Sequence, residues 1–278
     1  MRIFILSLLL IGTSSLLNSQ NMVETDNLKP SGNAVKFGKN IISLNESNEH
    51  TCTFSPDGNT MYFTRDANIF ISKKIDGKWS LPQITDIKGR EAIFSPDGSK
   101  LFYGDGDIWF MQRNNNIWSN PQKLSKSLNT DLYEYYASSC INGNIYFSRI
   151  KGKHAVILVS KYENGNYLEA TELPTPINQD SSNNYHPFIS PEEDYLIFNS
   201  ERNGGYGGAD LYISFKDEDA NWGEPVNLGD KINSEIRDIC PTISPDGKYL
   251  YFTRNWQKEN KWFGDIYWVE TSFLRQKK

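Results

Sequence analysis

A short hairpin pattern that returns along the whole chain constrains its fold more than any other feature. The five copies are FSPDGNTMYF, FSPDGSKLFY, SCINGNIYF, ISPEEDYLIF and ISPDGKYLYF. Ser-Pro-Asp-Gly is typical of a tight turn, because proline presets φ, aspartate bonds its own backbone and glycine accepts a positive φ. The apolar run after each turn predicts a buried strand. Each copy therefore predicts a β-hairpin. The Asn-Gly of the third copy predicts a type I′ turn, and the loss of glycine in the fourth copy predicts a looser turn.

The distance between the copies predicts the architecture. The last aromatic residues of the hairpins are separated by 40, 44, 51 and 54 residues. That interval matches a four-stranded propeller blade, which takes about 40 to 50 residues. We therefore predict an all-β fold with a single β-propeller of five four-stranded blades, with six blades as the alternative. A sixth blade would need another ~40 residues, which the segment before the first hairpin does not supply.

The segment before the first hairpin is predicted to close the ring. The fifth unit has no fourth strand of its own, because only nine residues follow Val269. Residues 34–43 resemble a fourth strand, with Phe37 in the slot that Trp79 occupies in the first unit. A strand from this segment would complete the fifth blade and remove the free edges of an open array.

The first twenty residues differ in kind from the rest. Arg2 is followed by an apolar run over residues 3–11, a pattern typical of a secretory signal peptide. The run is too short for the roughly 20 residues of a spanning helix, although an uncleaved anchor remains the alternative. We predict a signal peptide at 1–20, a linker at 21–33, the propeller at 34–273 and a tail at 274–278. The expected location is the periplasm or the cell exterior, with no membrane span in the mature chain.

Net charge and cysteine content limit the expected classes of partner and the possible disulfides. The net charge is −5 and no lysine or arginine cluster stands out, so no nucleic-acid partner is expected. The three cysteines leave at least one thiol unpaired in an exported protein. We expect them as small buried side chains, while a bridge between Cys52 and Cys240 stays open. A monomer without a cofactor is expected.

Several linked motifs resemble those of a known family. The hairpins are followed by Asp-Ile-Tyr-like strands, as at 265–267, and by Trp-x-x-Pro segments, as at 79–82. This order resembles the WD-like repeats of TolB-type β-propellers over residues of roughly 35 to 273. The segment 228–235 also resembles repeats in cell-envelope proteins of Bacteroidetes-like bacteria. The resemblance implies a propeller that serves as a binding platform or as a domain attached to a peptidase, and in a few lineages as a lyase or glycosidase.

Loop lengths select one face of the propeller. The turns between the first and second strands, and between the third and fourth, are short and uniform. The connections between the second and third strands vary from 66–68 to 201–210 and 255–265, and the segment Gly-Gly-Tyr-Gly-Gly at 204–208 is predicted to be a flexible lid. Variable loops on a rigid scaffold usually carry binding. We therefore place the site on this long-loop face, around the mouth of the central channel.

The residues that begin the first strands are predicted to ring this mouth. Alignment of the units places His50, Arg90, Tyr135, Tyr185 and Ile239 at one level. The next level is Thr51, Glu91, Tyr136, His186 and Cys240, and the acids Glu49, Glu134 and Asp238 lie just above. The candidate ligand-binding residues are Glu49, His50, Arg65, Arg90, Glu91, Tyr135, Arg149, Tyr185, His186, Arg202, Asp238 and Arg254.

The arginines of this set have two interpretations. Arg65, Arg149 and Arg254 each follow the marker aromatic of their hairpin by two residues, and Arg202 lies slightly further on. A guanidinium offers a planar fork to a carboxylate, so the arginines could grip an anionic sugar or peptide. Alternatively, each pairs with the acidic residue that opens the third strand, or with a neighbouring blade, and holds the ring together.

The expected function is an exported, non-enzymatic propeller that binds a protein or glycan on the long-loop face. One alternative is a lyase or glycosidase, which would use two pore-mouth carboxylates as acid and base; no catalytic residue is assigned. Another is a subunit of a cell-envelope complex. His50 and His186 could meet Glu91 or Asp238 in a metal site, but no local ligand spacing supports one. Hydrogen-bonded histidines and no metal are therefore expected.

Overall fold

Five small antiparallel sheets form a five-bladed β-propeller around a central channel in the computed structural model. The structure describes residues 22–23, 29–104, 106–115, 117–179 and 182–277, so the predicted signal peptide lies outside the described residues. The predictions of an all-β propeller and of five blades, not six, are confirmed.

Each blade is a four-stranded meander whose first strand lies nearest the axis. The first strands are Glu49–Phe54, Arg90–Phe94, Tyr133–Ser139, Asn184–Ile189 and Arg237–Ile243. The second strands are Thr60–Arg65, Lys100–Gly104, Ile145–Lys151, Tyr195–Ser200 and Tyr249–Lys258. The third strands are Asn68–Ile75, Ile108–Asn114, His154–Ser160, Asp210–Phe215 and Lys261–Glu270. The fourth strands are Gln83–Ile84, Gln122–Lys123, Thr171–Glu172, Val226–Asn227 and Val35–Lys36. Short pieces at Met22–Val23, Lys78–Ser80, Ile117–Trp118, Tyr162–Glu163 and Asn166–Tyr167 and a 3₁₀ helix at Ser272–Lys277 complete the described elements.

The N-terminal segment closes the ring as predicted, in a different register. Val35 pairs with Trp268, and Lys36 with Tyr267, so this strand is the fourth of blade 5. The assignment of Phe37 to the tryptophan slot is wrong. Its amide bonds the Ile266 carbonyl at 2.8 Å, which is the position of Leu124 in blade 2, whose amide bonds the equivalent isoleucine.

A β-bulge recurs at the same place in every first strand. The bulged residues are Thr51, Glu91, Tyr136, His186 and Cys240, each with φ between 49° and 56°. A hydroxyl on the second strand of the preceding blade accepts several of the freed amides, as Ser148 Oγ does from His186 N at 2.8 Å. The five bulged residues are the same five that the alignment of the units placed at one level of the channel. A bulge changes the direction of one side chain per strand, so the same position is affected in every blade.

The hairpin turns share one geometry, including the two that depart from Ser-Pro-Asp-Gly. Asn142 does not have a positive φ, so the predicted type I′ turn is wrong; only Gly143 does, as Gly58 and Gly98 do in their copies. Glu193 takes the same position with φ 62°, and its amide bonds Ser190 O at 3.0 Å. The fourth turn is therefore not looser.

Contacts of the Glu193 side chain explain why a residue other than glycine is held there. Its carboxylate accepts hydrogen bonds from Asn142 at 2.7 Å and Tyr146 at 2.5 Å, both on blade 3. Lys216 lies 3.3 Å away on its own blade. Glu193 thus joins blades 3 and 4 through a charged acceptor.

Replacement of Glu193 by alanine is expected to lower the free energy of unfolding by roughly 1.5–3 kcal/mol at pH 7, since hydrogen bonds to a charged group are lost. Burial raises the pKa of Glu193, but the bonds from Tyr146, Asn142 and Asn144 outweigh it and the net pKa lies below its ordinary value. The contribution is therefore full above the unfolded pKa of about 4.5 and is lost as the pH falls through the folded value.

Urea unfolding of the wild type and Glu193→Ala at a series of pH values measures this difference. The exposed neighbour supplies the control, and Glu192→Ala should change the stability by less than ~0.5 kcal/mol. An equal loss at pH 7 and at pH 3 would contradict the assignment to the charged carboxylate.

The core runs between blades. The second strand of each blade carries one phenylalanine that is almost completely buried: Phe63, Phe102, Phe147, Phe198 and Phe252.

The three cysteines are buried free thiols, which agrees with the expectation of small buried side chains. Among the described residues, no helix has the length and apolar character needed to cross a membrane.

Candidate functional site

Three of the predicted arginines form the same buried clamp. Nε of Arg65 lies 2.7 Å from Glu49, and in blade 3 the Arg149–Glu134 distance is 2.6 Å. The third clamp, Arg254 with Asp238, measures 2.9 Å. All three carboxylates are fully buried.

The second role of each clamp is to hold the loop that enters the first strand. Nη2 of Arg149 donates to Leu128 O at 2.8 Å, and Nη2 of Arg65 donates to Ile41 O at 2.7 Å. Arg202 uses the same type of loop acceptor, Ile177 O at 3.0 Å, but bonds the amide oxygen of Asn184 where the others meet an acid. These contacts favour the interpretation in which the arginines hold the ring together, but the acids lie on the first strand of the same blade and not at the start of the third strand as predicted.

Burial raises the pKa of two of these acids, Glu49 and Asp238. It raises the pKa of Glu49 to about 7, against the lowering effects of the Leu44 amide and Arg65. It also raises the pKa of Asp238, against Arg254. Such acids are placed for structure, because no part of either side chain is exposed to a ligand.

The channel interior brings together the predicted residues His50, Glu91 and His186 with Cys240. Ligand atoms of His50, Glu91 and Cys240 all lie within 4.8 Å of one another. His186 contacts two of them, with Nε2 at 3.6 Å from Glu91 Oε1 and Nδ1 at 3.4 Å from Cys240 Sγ. The four groups come from the first strands of four different blades, so no spacing along the chain indicates that they meet.

The electrostatics of this cluster follow from its burial. Burial lowers the pKa of His50 to about 4, so the ring is neutral at pH 7. Burial also raises the pKa of Glu91, but the hydrogen bond and charge of His186 outweigh it and leave the net pKa below its ordinary value. The Cys240 thiol has a pKa raised well above its ordinary value by burial.

Aromatic rings connect this cluster to the mouth. The rings of Tyr135 and Tyr185 lie 5.4 and 4.8 Å from that of His186, and Tyr133 lies 5.7 Å beyond Tyr135. Burial raises the pKa of Tyr135 and of Tyr185, so both hydroxyls stay protonated. Arg90, the remaining predicted residue, begins the first strand of blade 2.

The long-loop face carries exposed apolar side chains on blades 3 to 5. They are Leu132, Tyr133, Ile150, Tyr206, Ile236 and Trp262. Tyr206 is 52% exposed and Trp262 is 41% exposed. We call this set the aromatic rim.

Sequence reasoning missed Arg237, which sits within the aromatic rim. Its guanidinium lies 3.3 Å from Glu201 and 5.6 Å from the centre of the Trp262 ring. It also hydrogen-bonds the hydroxyl of Tyr185. The sequence offered one indication of its role, because Arg237 directly precedes Asp238 at the start of a first strand.

Two loop predictions are wrong. The glycine-rich segment is anchored, because Tyr206 N and Gly207 N donate to the Asp210 carboxylate at 2.6 and 3.1 Å. The segment 255–265 is an extension of the blade 5 hairpin, with ladder pairs out to Lys258 and Lys261. Both segments therefore present their side chains from fixed backbone.

A cavity of about 410 Å³ opens at the other end of the channel. It is lined by the ends of the first strands of all five blades and by turn residues of blades 1, 2, 4 and 5, including Phe54, Phe94, Phe188 and Pro245. Its wall lies on the face of the repeated turns, which the sequence analysis did not select.

Comparison with solved structures identifies the fold. A TolB structure from Agrobacterium tumefaciens superposes with a TM-score of 0.53, at 15% identity, over 81% of this chain and 90% of that one. The chain has a TolB-like β-propeller fold. An α-L-arabinofuranosidase from Lactobacillus brevis gives a TM-score of 0.51 at 12% identity, over 81% of this chain and 92% of that one.

A xylan β-1,4-xylosidase from Bacillus halodurans gives a TM-score of 0.50 at 12% identity. The match covers 82% of this chain and 54% of the xylosidase chain. No protein-family model matches the sequence, and no curated protein matches it. At these identities the likeness concerns the fold alone.

Proposed function

We propose that this TolB-like propeller is an exported, non-enzymatic binding protein whose protein ligand docks on the long-loop face. The observation that carries the proposal is the aromatic rim. Tyrosine, tryptophan and arginine are enriched among residues that dominate binding energy, and Trp262 with Arg237 combines two of them.

The aliphatic members of the rim favour a protein over a glycan. Leu132, Ile150 and Ile236 offer area that a protein side chain can cover, whereas sugar rings prefer aromatic faces beside polar groups. A glycan on Tyr206 and Trp262 remains the alternative ligand. Exposed apolar groups gathered on one surface are typical of an interaction site, which also fits a subunit of a larger envelope complex.

The carboxylates favour binding over glycoside cleavage. Four acids were predicted to ring the mouth, and three of them, Glu49, Glu134 and Asp238, are fully buried against arginines. Only Glu91 faces the channel. Glycoside cleavage needs an acid and a base on either side of the sugar, with open space between them. The described residues do not provide this pair at the mouth, so the similarity to the two glycosidases concerns the fold alone. The proposed location, the periplasm or the cell exterior, rests on the N-terminal sequence pattern.

Peptide and glycan arrays probed with the purified protein test the proposal. We expect peptides to bind, and Tyr133→Ala or Trp262→Ala to weaken binding by at least ~10-fold, since truncation of an anchor residue commonly costs 2 kcal/mol or more. The control is Glu192→Arg, which alters the wall of the opposite cavity and should leave binding unchanged. Binding of glycans alone would contradict a protein ligand, and a loss confined to Glu192→Arg would contradict the long-loop face.

A further inference from the structure

The channel cluster has the composition of a transition-metal site. It combines the imidazole of His50, the carboxylate of Glu91 and the thiol of Cys240, and Nε2 of His186 lies 3.6 Å from the Glu91 carboxylate. Borderline-soft divalent ions such as Zn²⁺ take these nitrogen, oxygen and sulfur donors in tetrahedral sites. Calcium and magnesium prefer sets made of oxygen alone, so the donors select the zinc class.

The spacing of the donors suits an ion after a small contraction. An ion equidistant from three atoms 4.8 Å apart would lie about 2.8 Å from each, and shifts of under about 1 Å would bring the ligands to the 2.0–2.3 Å of zinc bonds. Side chains at a channel axis can make such shifts without moving the sheet backbone.

Hydrogen bonds around the cluster hold the two rings in place. Thr51 Oγ1 lies 3.2 Å from His50 Nδ1, and Asn199 Oδ1 lies 2.9 Å from His186 Nδ1. Outer partners of this kind orient metal-bound histidines and fix their tautomer. If His186 donates its Nδ1 proton to Asn199, Nε2 either carries a second proton toward Glu91, 3.6 Å away, or turns a lone pair toward a bound ion. Two acceptors that face each other need a cation between them or a proton on the ring.

A second observation points the same way. Nδ2 of Asn199 is buried and has no hydrogen-bond partner, although a buried polar group without a partner is costly. The amide is therefore held by its contact with His186 and not by a full set of bonds of its own. The presence of an Asn199 amide with only one of its two groups hydrogen-bonded is explained if Asn199 orients His186 as a metal ligand.

We propose that His50, Glu91 and Cys240 bind one divalent transition-metal ion of the zinc class in the central channel, and that Nε2 of His186 moves onto the ion as the fourth ligand. The four ligands come from the first strands of blades 1, 2, 4 and 5. The ion would therefore cross-link these blades at the axis, including the two that flank the ring closure. This inference concerns the channel interior and does not depend on the ligand proposed for the aromatic rim.

Metal binding is tested with the purified chain after removal of metals by a chelator. We expect one equivalent of Zn²⁺ per chain by elemental analysis and native mass spectrometry. Zinc at 100 times its Kd should raise the Tm by roughly 5–10 °C, as expected for a ligand that binds only the folded state. Co²⁺ in place of Zn²⁺ should give thiolate-to-metal charge-transfer absorption. Absence of a 1:1 complex would overturn the proposal in favour of a proton shared by His186 and Glu91.

Variants assign the ligands. Cys240→Ala should abolish the charge-transfer absorption, while Cys140→Ala, which removes a buried thiol from outside the cluster, should leave it intact. His50→Gln should weaken Zn²⁺ binding at least ~100-fold, above the 10–100-fold typical of outer partners. His50 is the more exposed ligand, so this variant keeps the test decisive if Cys240→Ala fails to fold, as judged by circular dichroism. Unchanged affinity in His50→Gln, or unchanged absorption in Cys240→Ala, would overturn the assignment.

Discussion

Deletion of the residues up to Ser43 is expected to lower the Tm by at least about 10 °C or to prevent folding. The deletion removes the fourth strand of blade 5, Val35–Lys36, and exposes the edge of the third strand. It also removes Phe37 and Ile42, which are buried in the cluster that joins blades 5 and 1. Truncation of one buried phenylalanine or isoleucine alone costs about 2–5 kcal/mol, and a whole domain has only 5–15 kcal/mol.

Loss of the closing segment also affects the neighbouring blade. Arg65 donates to the carbonyls of Ile41 and Ile42, at 2.7 and 3.1 Å, and would lose both acceptors while Glu49 stays buried beside it. Ser43 Oγ accepts from Ile266 N at 3.1 Å, so the third strand loses a bond as well. The loss of stability should therefore exceed the summed contributions of the buried Phe37 and Ile42 side chains.

Thermal unfolding followed by circular dichroism measures the effect. A shorter deletion that ends at residue 28 is the matched control and should keep most of the stability, because it leaves Val35 to Ser43 in place. The point variants Phe37→Ala and Ile42→Ala should each lower the Tm by roughly 4–20 °C, at 2–4 °C per kcal/mol. An unchanged Tm after the long deletion would contradict closure of the ring by this strand.

The sequence predicts the fold well because every blade repeats the same local rules. Turn chemistry, a buried aromatic on the second strand and a period of two determine each hairpin without knowledge of its neighbours. Even the level of Glu91 and His186 in the channel could be aligned, since both lie at a fixed distance before a recognisable turn. Phe37 was misplaced because a fourth strand of two residues carries almost no pattern. The Phe-Gly pair at 37–38 resembles Leu-Gly at 228–229, which was the better guide.

The site was harder to predict because it depends on distances between blades. No spacing along the chain shows that Cys240 of blade 5 lies beside His50 of blade 1. The absence of glycine in the fourth turn predicted a looser turn, because the hydrogen bonds that hold Glu193 at a positive φ come from blade 3 and leave no local pattern. Arg237 was missed for the same reason, because its partners Glu201 and Trp262 belong to other loops.

The second large effect is expected for Arg149→Ala, which should lower the free energy of unfolding by about 3–5 kcal/mol. Glu134 is fully buried and would lose its partner at 2.6 Å, and a buried carboxylate without its partner is strongly destabilising. The exposed pair Lys151–Glu172, also at 2.6 Å, begins two residues along the same strand. Its variant Lys151→Ala should cost less than ~1 kcal/mol, as exposed pairs do.

Urea unfolding of these variants and of Arg149→Met/Glu134→Leu completes the comparison. The double replacement removes both charges and should recover much of the loss, because an apolar pair of similar volume can substitute for a buried ion pair. Recovery of stability would show that Arg149 serves the fold by neutralising Glu134. It would argue against a role in ligand contact, because removal of Glu134 would not compensate for a lost ligand contact. If Arg149→Ala costs no more than Lys151→Ala but weakens array binding, the clamp interpretation is wrong and the arginines return to the binding site.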